Sequence, residues 1–493
     1  MKKGFNSKKY LKLQTEKILK RVEDFNNKLY IEFGGKLFND IHAARVLPGF
    51  DPNAKIEVLK KLSKKLEVIF VISAKDIERN KMRSDLDIAY EMDVLRQIDK
   101  LTAMGITANN VVITLFEGEP AALVFKNKIE RRNLKVYLHT YTKGYPADVE
   151  TIVSDEGYGV NTYIETEKPI VVVTAPGANS GKLATCLSQI YHEYKRGVSA
   201  GYSKYETFPI WNLPLRHPVN IAYEAATANI GDINMIDSFH LEKYGTTTVN
   251  YNRDLEVFPV LKTILNRIAG KDIYFSPTDM GVNMAGFAIE DDEITAHASK
   301  DEVIRRYYYA LCEYKKGIDN EASIKRLEIL MSELNINTAF RKVAASAAEK
   351  FKQKKEISIA LELHNGKIIS GRSTDIMTAG ASVLINSLKA LAKISDDIYL
   401  LMPAQLEPMQ KLKSYLYNNG EKLLNAYDVL TALSISKATN PIAARVLSNL
   451  DKLYGCDAHS SHMINREDKE AFKNLYINLS QEPKFFSKNL YKD

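Results

Sequence analysis

The fold of this chain is decided by residues 170–182, which read IVVVTAPGANSGK. Five apolar or β-branched residues of strand length come first, and a turn with Pro176 and Gly177 follows. Lys182 then opens a helical pattern that runs to Lys195. A strand, a turn and a helix start bring backbone N–H groups, a helix dipole and an ammonium group to one point. The stretch therefore predicts an anion site, of the kind that cradles phosphate.

The loop resembles a Walker A phosphate loop but departs from it in two places. Pro176 stands where that motif has its first glycine, and Leu183 replaces the Ser or Thr that would hold Mg²⁺. Phosphate is expected to bind four residues of the loop: Gly177, Ser180, Gly181 and Lys182. Mg²⁺ stays a candidate cofactor, with ligands recruited from elsewhere. The alternative is a tight strand–helix turn whose lysine faces solvent.

Apolar runs of strand length precede this stretch and alternate with helical patterns. Strands are expected at 29–33, 68–72, 111–115 and 136–141, and helices at 7–27, 54–65, 85–104 and 119–132. Continuous apolar strands that alternate with helices indicate a parallel sheet covered on both faces. We predict an α/β, multi-domain fold with an N-terminal, mostly parallel, Rossmann- or P-loop-like sheet. In such sheets ligands bind at the carboxyl ends of the strands.

Charged residues follow several of these strands and would face one crevice. Lys36, Arg45 and Arg79 are expected to neutralise further phosphate charge. Asp76 comes directly after an apolar strand, so it is the best candidate for a carboxylate that positions Mg²⁺ or water. For any one of these residues the alternative is a helix cap or a surface group.

The segment 200–290 is irregular and rich in polar and aromatic residues. His217 and Glu224 are candidates for acid–base chemistry, and Arg253 is a candidate anion clamp. The alternative is that such residues cap loops. Because a phosphate loop does not choose among anions, we expect this segment to complete the site. Residues 202–211 read as extended and are expected to lie beside the 170–174 strand.

The rest of the chain is expected to form a helical subdomain and a C-terminal α/β unit. Apolar runs at 357–364 and 367–370 flank Asn365-Gly366, which predicts a β-hairpin, and a further strand is expected at 398–401. The predicted domains are 1–199, 200–299, 300–354 and 355–493. They correspond to a parallel α/β domain with the phosphate loop, an α+β substrate segment, a helical subdomain and an α/β domain.

Composition excludes several classes of protein. The net charge is +7 over 493 residues, and the lysines are spread over helix faces, so no nucleic-acid partner is predicted. The three cysteines are far apart, and no apolar run is long enough for a signal peptide or a membrane span. We expect a cytoplasmic protein without a membrane partner. No metal ligand set is predicted, since Cys456, His459 and His462 lack a second pair.

Five segments resemble a known bacterial family. They are LYIEFGGK (29–36), HAARVLPGFDP (42–52), SDEGYG (154–159), SGKLATCLSQ (180–189) and FPIWNLP (208–214). The chain resembles, nearly end to end, the family named domain of unknown function 1846. The resemblance implies a cytosolic protein of several α/β and helical subdomains, and it implies no particular reaction.

The sequence predicts binding of an anionic small molecule, a phosphorylated metabolite or nucleotide, with phosphoryl transfer or hydrolysis as the reaction. The enzyme would then be a transferase or a hydrolase. The alternative is a non-catalytic protein that senses a phosphorylated ligand or acts as a scaffold. The run Tyr307-Tyr308-Tyr309 cannot fit on one helix face, so we expect a homo-oligomer, either a dimer or a dimer of dimers.

Overall fold

The computed structural model describes residues 3–26, 28–83, 86–416 and 422–486. Internal contacts divide the chain into two units. The N-terminal unit comprises Lys3–Tyr223 and Asp232–Thr295, and the C-terminal unit comprises Glu224–Gly231 and the described residues from Ala296 onward. The predicted α/β, multi-domain fold class is confirmed, whereas the finer division into four domains stays a prediction.

The strands of the N-terminal unit are β1 (Leu29–Phe33), β2 (Leu66–Ser73), β3 (Met82–Arg83), β4 (Ile88–Ala89), β5 (Thr107–Thr114), β6 (Lys135–Leu138), β7 (Ile170–Thr174), β8 (Gly201–Tyr205), β9 (Asn234–Ile236), β10 (Val249–Tyr251) and β11 (Gly281–Val282). Within the described residues, seven of these strands form one parallel sheet in the order β11-β8-β1-β7-β2-β5-β6. The pairs β3–β4 and β9–β10 are short antiparallel ribbons.

The helices that begin in the N-terminal unit before residue 290 are α1 (Ser7–Asp24), α2 (Ile41–Val46), α3 (Ala54–Leu62), α4 (Ala74–Glu78), α5 (Tyr90–Ala103), α6 (Pro120–Glu130), α7 (Val149–Ile152), α8 (Lys182–Lys195), α9 (Pro218–Ala226), α10 (Ser238–Tyr244), α11 (Asn252–Ala269) and α12 (Pro277–Met280).

Both faces of the parallel sheet are buried, as the continuous apolar strands predict. Ile31 and Val172 pack into a core that also contains residues of α1, α3, α5 and α6. Their neighbours Tyr30 and Val173 point to the opposite face, into a core with α8 and α11. Successive residues of a strand point to opposite faces, so a strand covered on both sides must be apolar throughout.

The order of the strands creates a switch point between β1 and β7. From β1 the chain crosses over to β2, on the far side of β7, whereas from β7 it crosses to β8, on the far side of β1. The connections therefore leave these two neighbours in opposite directions. A crevice opens at such a point beyond the carboxyl ends of the strands, and ligands of open α/β sheets bind there.

The position of β8 differs from our expectation. We predicted that residues 202–211 lie beside the 170–174 strand, but β8 pairs with β1, from Leu29 opposite Gly201 to Phe33 opposite Tyr205. That prediction was wrong because the edges of β7 are already paired with β1 and β2. The returning chain therefore extends the sheet on the free edge of β1.

The C-terminal unit contains a smaller mixed sheet with helices. Its strands are β12 (Ser358–Glu362), β13 (Ile368–Arg372), β14 (Asp457–Ser460) and β15 (Asn478–Gln481), in the order β13-β12-β14-β15. The helices that lie wholly or mostly in this unit are α13 (Asp292–Lys315), α14 (Glu321–Glu333), α15 (Lys342–Lys354), α16 (Ala379–Ala392), α17 (Pro403–Leu416), α18 (Ala426–Ser436), α19 (Pro441–Leu447) and α20 (Arg466–Asn474). The predicted hairpin around Asn365-Gly366 is confirmed by β12 and β13. The predicted strand at 398–401 was wrong, since these residues form bends before α17.

A buried arginine connects helix α13 with strands β14 and β15 of the C-terminal unit. Arg341 is 1% exposed and forms an ion pair with Asp301, while its Nη2 donates to the carbonyls of Ala458 and Asn478. Charged groups that are paired and hydrogen-bonded in this way can be buried without a large penalty. Across the residues that the structure describes, no helix is long and apolar enough to cross a membrane.

Candidate functional site

The loop between β7 and α8 is held in shape by neighbouring side chains. Helix α8 begins at Lys182, as predicted, and Gly181 caps it with a left-handed φ of 85°. The Thr114 hydroxyl donates to the Ser180 carbonyl at 2.7 Å, and the Ser180 hydroxyl donates to the Gly177 carbonyl at 2.9 Å. Ser180 therefore shapes the loop from inside, and its side chain is already engaged there.

A glycine is required at position 177 because Tyr90 lies directly over it. A Cβ atom added to Gly177 would lie 2.4 Å from the Tyr90 hydroxyl oxygen, which is closer than two non-bonded atoms approach. The Lys81 ammonium in turn lies 4.9 Å from the centre of the Tyr90 ring. Tyr90, at the start of α5, thus covers one side of the loop, with Lys81 behind its ring.

The amide N–H groups of the loop are available to a ligand. Those of Ala178, Asn179 and Gly181 donate to no acceptor in the part of the chain that the structure describes. The first turn of α8 adds the N–H groups that every helix start leaves without a partner within the helix. Together they form a concave set of donors at the positive end of a helix dipole, which favours an anion.

Lys182 faces the crevice between β1 and β7. Its ammonium lies 3.7 Å from the Glu32 carboxylate, and the two side chains are 12% and 15% exposed. Glu32 lies on β1 opposite Val173 of β7, and its other oxygen accepts a hydrogen bond of 2.9 Å from the Tyr202 hydroxyl. The lysine is therefore a largely buried group with a counter-ion.

A carboxylate–lysine cluster, formed by Glu32, Lys204, Glu206 and Asp254, extends the crevice across β8. The Lys204 ammonium lies 2.5 Å from Asp254 and 3.0 Å from Glu206. Glu32 pairs in register with Lys204 on the adjacent strand. Asp254 lies in the first turn of α11, so that helix supplies the third carboxylate.

Burial and neighbouring charge set the protonation of this cluster. Burial opposes the charge on Lys204, but the carboxylates of Asp254, Glu206 and Glu32 outweigh it and hold its pKa well above the ordinary value. Burial raises the pKa of Glu206 to about 7, with Asp254 and Glu32 adding to the shift and Lys204 opposing it. A carboxyl group of this kind can take up or release a proton near neutral pH.

The additional basic residues predicted to bind phosphate lie on the segments that follow β1 and β2. Lys36 follows β1, and its carbonyl accepts a hydrogen bond from the buried Lys55 ammonium at 3.2 Å. Arg45 lies in the last turn of α2, and Arg79, at the end of α4, forms an ion pair with Asp76. Contact between these three basic residues and a phosphate stays a prediction.

Each of the predicted catalytic residues already has a charged partner. Asp76 is buried and paired with Arg79 and with Lys81, the latter at 3.4 Å. His217 lies 3.0 Å from Asp292 through Nε2, while its Nδ1 accepts the Val219 N–H at the start of α9.

The two remaining candidates are also paired. The Arg253 guanidinium lies 2.6 Å from Asp232. Glu224 belongs to the C-terminal unit, where it forms an ion pair with Arg326 of α14. Among the four candidates, Asp76 is tied most directly to the loop, because Lys81 also contacts Tyr90. Their catalytic roles stay predictions.

Sequence reasoning missed Glu32, Lys204 and Glu206 as site residues. One signal was present: each is a charged residue in or directly after an otherwise apolar or aromatic strand. A charge is expensive to bury, so such a position needs a partner, and the partner identifies the site. Among residues 3–26, 28–83, 86–416 and 422–486, no group of three His, Cys, Asp or Glu side chains is arranged to hold a metal ion.

Comparisons with known proteins establish the family. The N-terminal profile of the domain of unknown function DUF1846 matches residues 3–335, and the C-terminal profile matches residues 339–491. The chain belongs to this family. It is similar to UPF0371 proteins of Clostridium botulinum (strain Alaska E43 / Type E3) and Clostridioides difficile (strain 630), each 55% identical over 500 residues. A UPF0371 protein of Fusobacterium nucleatum is 53% identical over 504 residues. In each comparison all of this chain is covered, with 99%, 100% and 99% of the respective relative.

Proposed function

We propose that the chain binds a phosphorylated metabolite or nucleotide in the crevice between β1 and β7 and catalyses phosphoryl transfer or hydrolysis. One observation carries the proposal: Lys182 begins a helix at the switch point of the sheet and faces the crevice beside unpaired loop amides. Phosphate would lie at the helix start, where the dipole, the amides and the ammonium all favour negative charge.

Glu32 has a defined role in this proposal. In the ligand-free chain its carboxylate is the counter-ion of Lys182. An incoming phosphate competes for the same ammonium, and Glu32 lies one strand from Lys204, which is a second cation for it. Glu32 therefore lowers the affinity for weak anions, and it keeps the buried lysine paired until a stronger anion arrives.

Glu206 is the preferred proton acceptor for the reaction. Phosphoryl transfer depends on positioning and charge neutralisation, with a group that orients the nucleophile. The attacking hydroxyl or water would form the new P–O bond and give its proton to Glu206, while the leaving oxygen keeps the electron pair of the bond that breaks. The raised pKa of Glu206 suits this role, since a general base works best near the operating pH.

The binding step is tested by calorimetric titration with inorganic phosphate and with ATP, with and without Mg²⁺. Lys182→Met should weaken binding by about tenfold or more, the usual effect of losing a charge-assisted hydrogen bond. Glu32→Gln should strengthen it, because the lysine loses its internal counter-ion. Lys135→Met is the matched control. Lys135 is the first residue of β6, and it forms an exposed ion pair with Glu165. Equal affinities for the wild type and Lys182→Met would reject the site.

A second candidate is a non-catalytic sensor of a phosphorylated ligand. The Lys182–Glu32 pair favours it, because exchange of Glu32 for phosphate gives two alternative arrangements of the crevice. Release of phosphate from a phosphorylated compound, abolished by Glu206→Gln while inorganic phosphate still binds, supports the enzyme. Tight binding without turnover supports the sensor.

The cytoplasm is the proposed location of either activity. All three cysteines are free and buried. Burial raises the pKa of the Cys312 thiol to about 11 and that of Cys456 to about 12. Such thiols remain protonated and unreactive, which suits a reducing compartment. Cell fractionation with an antibody against the chain tests the location.

A further inference from the structure

Beside the phosphate crevice, the carboxyl end of β8 carries polar atoms that still lack partners. Lys204 contacts one oxygen of Glu206, Oε1, and one oxygen of Asp254, Oδ2. The second oxygens, Glu206 Oε2 and Asp254 Oδ1, accept no hydrogen bond from any residue that the structure describes. Two carboxylates held in place by one lysine thus present two further acceptors.

The Trp211 ring, whose N–H group has no acceptor among the described residues, lies beside Glu206. The Trp211 ring packs over Gly281: a Cβ atom placed there would lie 2.5 Å from Cζ2 of the indole and 3.3 Å from Glu206 Oε2. The indole Nε1 is buried and has no acceptor among the described residues. A buried N–H group without an acceptor lowers stability, so a ligand oxygen at this position would be stabilising.

The combination of donor and acceptors is complementary to hydroxyl groups. A hydroxyl group donates one hydrogen bond and accepts others, so it can bind a carboxylate oxygen and an indole N–H together. The flat indole also offers a surface for a ring. Tyr251 directly precedes α11, which carries Asp254, and its ring lies 5.6 Å from that of Tyr223 between ring centres.

The charges of the crevice limit the number of phosphate groups. Lys182 is the cation at the loop, and the cluster beyond it holds three carboxylates against the single lysine Lys204. Each further phosphate of a nucleoside di- or triphosphate would meet these carboxylates, which repel it. The crevice therefore suits one phosphate group followed by a neutral, hydroxylated group.

We infer that the ligand is a monophosphorylated sugar or polyol, whose phosphate binds the Gly177–Lys182 loop and whose hydroxyl groups bind Glu206, Asp254 and the Trp211 N–H. This inference rests on the proposed phosphate site and names the substrate class for it. It assigns to Trp211 and Asp254 the role of selecting the hydroxylated part of the ligand.

The experiment compares dissociation constants for glucose 6-phosphate, ribose 5-phosphate, glycerol 3-phosphate, AMP, ATP and inorganic phosphate by calorimetry on the full chain. At least one of the first three should bind about tenfold more tightly than inorganic phosphate and more tightly than AMP and ATP, as hydrogen-bonded hydroxyl groups require. Trp211→Phe and Asp254→Asn should each remove most of that advantage while the affinity for inorganic phosphate does not fall. Glu165→Gln, at an exposed ion pair, is the control and should change none of these values.

The outcomes separate this inference from the function on which it rests. If inorganic phosphate binds through Lys182 but no sugar or polyol phosphate exceeds it, the hydroxyl site is rejected and the phosphate site stands. Tighter binding of AMP or ATP overturns the inference in favour of a nucleotide. If no compound binds, or if binding is unchanged in Lys182→Met, the phosphate site itself fails. The comparison among ligands uses the wild type, so it remains decisive even where Trp211→Phe does not fold.

Discussion

Glu206 is a residue of the candidate site whose chemistry depends strongly on its surroundings. It is 7% exposed and stands beside two further carboxylates, Asp254 and Glu32, with Lys204 as the neighbouring cation. In water a glutamate is ionised at neutral pH, but burial makes the charged form costly. The ionised form of Glu206 therefore destabilises the folded chain, and its carboxyl group can exchange a proton with a ligand near neutral pH.

This environment makes a prediction about stability and pH. Burial raises the pKa of Glu206 from 4.5 to about 7, so the folded chain holds this proton more tightly than the unfolded chain. The associated stabilisation is fully present below pH 4.5 and is lost as the pH rises through 7. The melting temperature of Glu206→Gln should therefore rise relative to the wild type between pH 5 and 8, as measured by scanning calorimetry.

A control separates this effect from other titrating groups. Glu165 is exposed and paired with Lys135, which lowers the pKa of its carboxyl group. Glu165→Gln should therefore not gain stability over this pH range. Parallel pH profiles for Glu206→Gln and the wild type would show that Glu206 is ionised at all these pH values.

At the scale of elements, the phosphate loop depends on contacts from two neighbouring elements, β5 and α5. The Thr114 hydroxyl at the end of β5 donates a hydrogen bond to the Ser180 carbonyl, and the Tyr90 ring at the start of α5 covers Gly177. The conformation of the loop is therefore set by the sheet and by a helix from another crossover. The loop lacks the first glycine of a Walker A loop, and these contacts help to fix its conformation.

The contact between Tyr90 and Gly177 is tested by a pair of substitutions. Gly177→Ala should lower stability by about 1–3 kcal/mol, the usual range for overpacking a filled position, and should weaken phosphate binding. Tyr90→Ala removes the clashing ring, so the double variant should regain much of the loss in both measurements. Chemical denaturation and phosphate titration of all four proteins form a double-mutant cycle. Additive effects would show that the two residues do not touch.

The sequence was most informative where one local rule dominates. The apolar strands predicted the parallel sheet, Asn365-Gly366 predicted the hairpin β12–β13, and the loop sequence predicted the helix start at Lys182. The pairing of β8 with β1 was not predictable locally, because it depends on which strand edge is already occupied. The partner of Lys182 was missed for the same reason, since Glu32 is 150 residues earlier in the chain and meets it only through strand order.

At the scale of the whole molecule, self-association stays a prediction. The expectation rests on the run Tyr307–Tyr309. Within it, Tyr308 is buried against His459, while Tyr309 is half exposed. The C-terminal unit also has strongly exposed apolar side chains on α17 and α18, with Tyr415 83% and Ile435 71% exposed. Surfaces of this kind are typical of contacts between protein chains.

Light scattering coupled to size exclusion measures the mass directly. We expect twice or four times the 55.7-kDa mass of one chain at micromolar concentration. Replacing Tyr415 and Ile435 with serine should shift the mass towards the monomer if α17 and α18 form the contact. Val124→Ser, at a position that is 68% exposed in the N-terminal unit, is the control. A monomer mass for the wild type would reject the expectation of a homo-oligomer.

The central claim is that the crevice between β1 and β7 binds phosphate through Lys182 and the loop amides. A crystal structure of the chain grown with tungstate, an electron-dense analogue of phosphate, tests it most directly. We predict that tungstate, located by the anomalous peak of its tungsten atom, places oxygens within about 3 Å of the Lys182 ammonium and of the Ala178, Asn179 or Gly181 amides, the usual distance of a charge-assisted hydrogen bond. The Glu32 carboxylate should then have moved away from Lys182. An intact Lys182–Glu32 pair, with tungstate bound only elsewhere, would contradict the account.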